Sequence, residues 1–187
     1  MSRAGTVEGR ERLRLFCALT LADDVVSRLS DWQAGDLAGG GRLVAPAHLH
    51  LTLAFLGGRP AGELAAIADA LRAAAAAAAG PIVLEPVRYR ETRSVGMLVL
   101  ADEEGRAERF AEDLFDRLEA LGVYARERRE WLPHVTMVRF RRPPRLRPSL
   151  PPVGTFGPSD AAVYHSVLRP TGAQYVVLHA VPLDTGG

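Results

Sequence analysis

The sequence predicts a mixed helix-and-strand fold built from two similar lobes that face a common cleft. Three observations predict it. The stretch Ala47–Gly57, AHLHLTLAFLG, has a partner at Leu132–Phe140, LPHVTMVRF. His50 and Thr52 in the first match His134 and Thr136 in the second, each pair at an offset of 84 residues. Both H-x-T motifs lie in apolar, β-prone runs after a proline-bearing approach, and helix–strand units recur around each. A lone H-x-T arises by chance. Two copies in matching contexts point to an internal duplication.

The elements follow in order. Residues 1–10 are polar and glycine-containing and read as a disordered leader, leaving 11–184 as a single domain. Arg12–Leu19, RLRLFCAL, reads as a strand. Leu21–Leu37 reads as a helix, with Asp23 and Asp24 at its start and Val25, Val26 and Leu29 on one stripe; Ala38–Gly41 stops it. Arg42–Ala45 is a short extended piece closed by Pro46. His50–Leu56 is the first motif strand, ended by Gly57 and Gly58. Pro60–Ala79 is the clearest helix, its alanine run explained by propensity alone and broken by Gly80-Pro81.

Ile82–Tyr89 and Val95–Ala101 read as two strands. Gly105–Leu121 is an amphipathic helix with Phe110, Leu114, Leu118 and Leu121 on one face, capped by Gly122. Val123–Arg126 reads as extended, and Pro133–Phe140 carries the second motif. Arg141–Pro152 is too rich in proline for regular structure. Thr155–Leu168 and Ala173–Pro182 are closing strands joined by a Pro170-Thr171-Gly172 turn.

Composition narrows the chemistry. A chain of 187 residues, 48% hydrophobic, suffices for one substantial domain. No apolar run approaches the ~18 residues that span a bilayer, and the start does not read as a signal peptide. The single cysteine, Cys17, excludes an internal disulfide and reads as core. A cytoplasmic monomer without membrane contact or an obligate protein partner is the expectation. All 23 basic residues are arginine, so chemistry that needs a lysine amine is excluded. Net charge is only +1, yet between Gly122 and Leu150 eight arginines (126, 128, 129, 139, 141, 142, 145 and 147) face two acids, Glu127 and Glu130, a local +6. That cluster is either a solvated arginine-rich surface or a field that favours phosphate.

In a strand, positions two apart share a face. Each motif therefore presents an imidazole beside a hydroxyl, while Leu51 and Leu53, or Val135 and Met137, point into core. Two converging histidines form an acid–base pair near neutral pH, and two threonine hydroxyls can donate to phosphoryl oxygens. No carboxylate adjoins either motif to complete a metal site or orient a nucleophilic serine. The set suits in-line displacement at phosphorus, and a strained 2′,3′-cyclic phosphate is an apt substrate. His48 forms H-x-H with His50 and is a metal ligand or, more simply, part of the approach loop. His165 and His179 read as surface or structural. Phe16, Trp131 and Tyr164 are candidates for stacking on a base, with core packing as the alternative. Arg139 lies three residues past Thr136, which puts it on the opposite face unless the strand bulges.

On LRLFCALTL, HLHLTLAFLG, PHVTMVRF and the closing VYHSVLRPTGAQYVVL, the chain resembles the two-histidine phosphoesterases, and within them the RNA 2′,3′-cyclic phosphodiesterases, also called 2′-5′ RNA ligase-like proteins. The resemblance spans about Arg12 to Leu183. It implies a bilobal α+β fold, with duplicated helix and antiparallel-sheet lobes around a central cleft. It implies hydrolysis of RNA or nucleoside 2′,3′-cyclic phosphate to the 2′-phosphomonoester, and a reverse 2′-5′ ligation without ATP. On that basis His50 is the proton donor, His134 the proton acceptor, and Thr52 and Thr136 the phosphate ligands. Phe16, His48 and Tyr164 are further substrate-binding candidates, with no metal and no cofactor. The partners are RNA or nucleotides with 2′,3′-cyclic phosphate ends. The rivals are an RNA-binding module with an idle site and a phosphoesterase for another small phosphate ester. The loop Arg141–Pro152 departs from the family in its arginine and proline content.

Overall fold

The computed structural model describes residues 11–170 and 172–184. The expected leader and Thr171 of the expected turn lie outside the described residues. The elements are β1 (Arg12–Leu21), α1 (Asp23–Asp36), β2 (Arg42–Leu43), β3 (His50–Pro60), α2 (Leu64–Ala77), β4 (Glu85–Glu91), β5 (Val95–Ala101), α3 (Arg106–Ala120), β6 (His134–Arg139), β7 (Pro158–Arg169) and β8 (Gly172–Pro182). The strands form one antiparallel sheet in the order β4-β5-β6-β3-β1-β7-β8, with β2 added to β6. The fold is α+β.

The duplication is visible in the elements. β1-α1-β3 and β5-α3-β6 are both strand–helix–strand units whose two strands pair antiparallel. Shifting α1 by 84 residues gives 107–120, which falls on α3. The halves join where β3 meets β6, through the pair Leu51 and Val135. These two residues are themselves 84 apart, so equivalent positions pair with each other. A pair of equivalent residues in an antiparallel ladder marks a local two-fold axis.

The helices cover the sheet with the faces the apolar spacing assigns them. α1 buries Val25, Leu29 and Trp32, α2 buries Ile67 and Leu71, and α3 buries Phe110, Leu114 and Leu118. α3 ends as expected at Gly122, in the left-handed region at φ 68°. The Gly122 amide donates to the Glu119 carbonyl at 2.8 Å and the Val123 amide to Leu118 at 3.1 Å, which satisfies the last carbonyls of the helix. That use of Val123 also explains why Val123–Arg126 forms no strand. β3 runs on through Gly57 and Gly58 because both still pair with β1. β4 begins at Glu85, later than expected, since Leu84 is taken by an isolated bridge to Phe156.

One irregularity repeats with the duplication. Along β3, Thr52 pairs with Ala18 and Ala54 with Cys17, leaving Leu53 as an extra residue. Along β6, Thr136 pairs with Met97 and Val138 with Gly96, leaving Met137 extra. Leu53 and Met137 are again 84 apart. Each bulge resets the alternation of faces. Leu53 and Ala54 are both buried, as are Met137 and Val138, so Phe55 and Arg139 emerge exposed on the motif side. The alternation rule that sent Arg139 to the opposite face fails for this reason.

The second bulge is tied down by Gln33, a buried polar residue only 2% exposed. Its Nε2 donates to the Met137 carbonyl at 2.7 Å and to the Val44 carbonyl at 2.9 Å. The Val44 amide also donates to Met137 at 2.9 Å. Gln33→Met keeps the volume and removes the donor. It should destabilise the protein by about 1–3 kcal/mol, read from the shift of a denaturant midpoint. An unchanged midpoint would show that the amide does not hold the bulge.

Candidate active site

The local axis brings the motifs together. In an antiparallel register fixed by Leu51 and Val135, His50 lies across from Thr136 and Thr52 across from His134. Diagonal neighbours in such a ladder are about 7–8 Å apart, which applies to the two histidines and to the two threonines. Leu51 and Val135 are buried beneath, and all four motif residues are half-buried. His50, Thr52, His134 and Thr136 line one cleft of about 1620 Å³. The sequence-predicted quartet is thus brought to one place.

Each imidazole is oriented by backbone. His50 Nδ1 lies 2.7 Å from the His48 carbonyl, and His134 Nδ1 lies 2.7 Å from the Leu132 carbonyl. A carbonyl only accepts, so each Nδ1 carries the hydrogen, and each neutral ring keeps its lone pair on Nε2. The acceptors are again equivalent positions of the two halves. His50 Nε2 is 3.1 Å from Thr52 Oγ1, whose hydroxyl donates to it.

Surroundings separate the two histidines. Phe16 and Tyr175 lie against the His50 ring with centroids at 5.2 and 5.4 Å, and Tyr164 follows at 6.0 Å. Burial among these rings pushes His50 down from 6.5 to about 4, and His48, Arg139 and His134 add smaller like-charge contributions. His50 is therefore neutral near pH 7 in the free protein.

The other candidates divide. His48 lines the cleft from a single helical turn at Pro46–His48, its ring 4.7 Å from that of Tyr175. Phe16 lines the cleft but is 2% exposed, stacked at 4.9 Å on Tyr164, which lies behind it. Trp131 faces the cleft, and its Nε1 donates to the Thr52 carbonyl at 2.9 Å, bracing the first motif. His165 and His179 are not part of the cleft wall. No group of three or more His, Cys, Asp or Glu among the described residues is arranged to hold a metal ion.

The arginine cluster also splits. Arg126, Arg128, Arg129 and Arg139 line the cleft. Arg126 is occupied by Glu112, Asp116 and Glu119, and Arg129 by Glu127. The Arg141–Pro152 loop is strapped to the body instead. Glu91 accepts the amides of Arg145 and Leu146 at 2.9 and 2.8 Å, and Trp32 Nε1 donates to the Ser149 carbonyl at 2.9 Å. Sequence reasoning missed Arg14, Arg42, Arg90, Phe55 and Tyr175, which all line the cleft. The repetition of the bulged stretch was the one signal available for Phe55. Tyr175 carried none.

A family model described as the 2′-5′ RNA ligase superfamily matches residues 21–168. The chain belongs to this superfamily. Membership places it among the phosphoester-processing two-histidine proteins. No curated protein matches its sequence. Among solved structures, TT0787 of Thermus thermophilus is 29% identical, with a TM-score of 0.77, covering 94% of this chain and 100% of its own. E. coli LigT complexed with 3′-AMP is 22% identical at a TM-score of 0.78, covering 93% and 99%. A protein described as a phosphoesterase is 23% identical at 0.79, with the same coverage. At those identities the last two show the fold of the superfamily. No helix among the described residues is long and apolar enough to cross a membrane.

For this superfamily member, the depressed His50 has a measurable consequence. Between about 6.5 and about 4 the unfolded chain binds a proton that the folded chain refuses. The stability due to neutral His50 is complete above 6.5 and is lost as pH falls through the folded value. His50→Gln should therefore flatten the decline in melting temperature over that window relative to the parent. Equal slopes in the two proteins would contradict the burial of a neutral ring.

Proposed function

We propose that the protein hydrolyses RNA or nucleoside 2′,3′-cyclic phosphate to the 2′-phosphomonoester, without a metal or cofactor, as a phosphoric diester hydrolase. The observation that carries this reading is the two-fold pairing of the motifs, which sets each histidine opposite the other motif's threonine in one cleft. Thr52 and Thr136 donate to the non-bridging oxygens, and Arg139 adds charge from the rim. His134 Nε2 takes a proton from water as its oxygen bonds to phosphorus. The bond from phosphorus to O3′ breaks, and His50 delivers a proton to that oxygen. The roles of donor and acceptor follow the family resemblance.

His50 gains that proton with the substrate. The phosphodiester is an anion, and an anion against the ring favours the imidazolium. The reverse path joins a 2′,3′-cyclic phosphate end to a 5′-hydroxyl, giving a 2′-5′ linkage without ATP.

Adenosine 2′,3′-cyclic phosphate and a short RNA with a cyclic end should be turned over in excess chelator to the 2′-phosphate. His50→Ala and His134→Ala should each lose about 10²–10⁴-fold in rate, and Thr52→Val or Thr136→Val about 10²–10³-fold. Full activity in either histidine variant would remove that residue from the mechanism. Salt-sensitive RNA binding with no product from any cyclic phosphate would favour an idle binding module. In NMR titrations the His50 resonance should shift upward from about 4 when inorganic phosphate is bound. An unmoved titration would deny His50 the donor role.

A further inference from the structure

We infer that Phe55 is the stacking platform for the nucleobase of the nucleotide whose phosphate sits between the two motifs. This rests on the nucleotide reading proposed above and extends it from the phosphate to the base.

Phe55 stands where strand alternation would bury it. The extra residue Leu53 turns it out, and its side chain lines the cleft at 66% exposed. The ring is backed on one side. Phe16, fixed in the buried aromatic group with Tyr164 and Tyr175, holds it at a centroid distance of 5.9 Å and a tilt of 42°. A ring backed on one side and open on the other offers a π-face at little conformational cost, and any base can stack on it.

Position supports the same assignment. Three residues of strand separate Thr52 from Phe55, a run of roughly 7–10 Å. That is the scale on which a ribose sets a base apart from its phosphate. The equivalent position in the second half is Arg139, which also lines the cleft. The duplication is broken at this position, with an aromatic ring on one wall and a cation on the other. A cyclic nucleotide is unsymmetrical about phosphorus in the same way, with a base on one flank only.

The test compares adenosine 2′,3′-cyclic phosphate with ribose 2′,3′-cyclic phosphate, which lacks the base. Phe55→Ala should reduce the preference in kcat/KM for the base-bearing substrate by about 5- to 100-fold, the range of one lost stacking contact, with the change carried by KM. Phe55→Leu, which keeps bulk but no π-face, should behave alike, and Phe55→Trp should retain the preference. An unchanged preference in Phe55→Ala would overturn the inference while leaving the hydrolase reading intact. Should the parent hydrolyse neither substrate, the hydrolase reading fails. Calorimetric binding of adenosine 2′-phosphate against ribose 2-phosphate, in parent and Phe55→Ala, then decides the stacking. Loss of the parent's preference for the adenosine ligand supports it. Equal affinities in the parent, or no binding at all, overturn it.

Discussion

The pairing of Leu51 with Val135 is the contact on which the site depends. Both side chains are fully buried, and both belong to equivalent positions of a duplicated strand. Because the pairing is antiparallel and equivalent meets equivalent, the four motif side chains on the opposite face fall into a square with two-fold symmetry. Histidine faces threonine twice. A slip of one residue in this register would send every motif side chain into the core and its neighbours into solvent. Burial of Leu51, Val135 and Met137 therefore protects the chemistry: the apolar side of each strand fixes the register that the polar side requires.

How much of this was legible in the sequence differs element by element. The two motifs, the duplication and the cleft could be read because a strand's period is two and H-x-T repeats at a fixed offset. Helices α1 and α3 were legible from apolar spacing, and the 84-residue shift that relates them was already present in the motifs. The bulges were not legible. Nothing in LTLAF or VTMVR tells a continuous alternation from one with an extra residue, because Leu53-Ala54 and Met137-Val138 are apolar pairs that fit either reading. The faces of Phe55 and Arg139 were lost with them. Tyr175 reaches His50 only because β8 lies beside β7, a sheet order that no local pattern encodes. The Arg141–Pro152 loop looked like a phosphate-binding surface by charge. Its hydrogen bonds to Glu91 and Trp32 make it a strap.

A two-fold pocket poses a chemical problem, because an acid and a base must differ while a symmetric site makes them alike. Here the backbone treats both histidines equally, each with Nδ1 on the carbonyl two residues back. Asymmetry enters through what surrounds them. Phe16, Tyr164 and Tyr175 come from β1, β7 and β8, the strands that extend the sheet on the side of the first motif. β5 and β4 extend it on the other side and give His134 no such aromatic enclosure among the ring contacts of the described residues. The same duplicated geometry therefore carries two different imidazoles, one of them stripped of solvent.

That difference bears on when the site becomes competent. A ring pushed down to about 4 by burial holds no proton at neutral pH, so it cannot act as an acid while the cleft is empty. A bound phosphodiester reverses the balance, because it places a negative charge where only Arg139, His48 and His134 acted before, all of them disfavouring the imidazolium. Substrate binding and protonation are then linked: the anion binds better to the protonated ring, and the ring protonates better beside the anion. In such a site the aromatic enclosure works as a condition. It keeps His50 neutral until the charge that needs its proton has arrived, and a neutral phosphate mimic of the same shape would leave the acid uncharged.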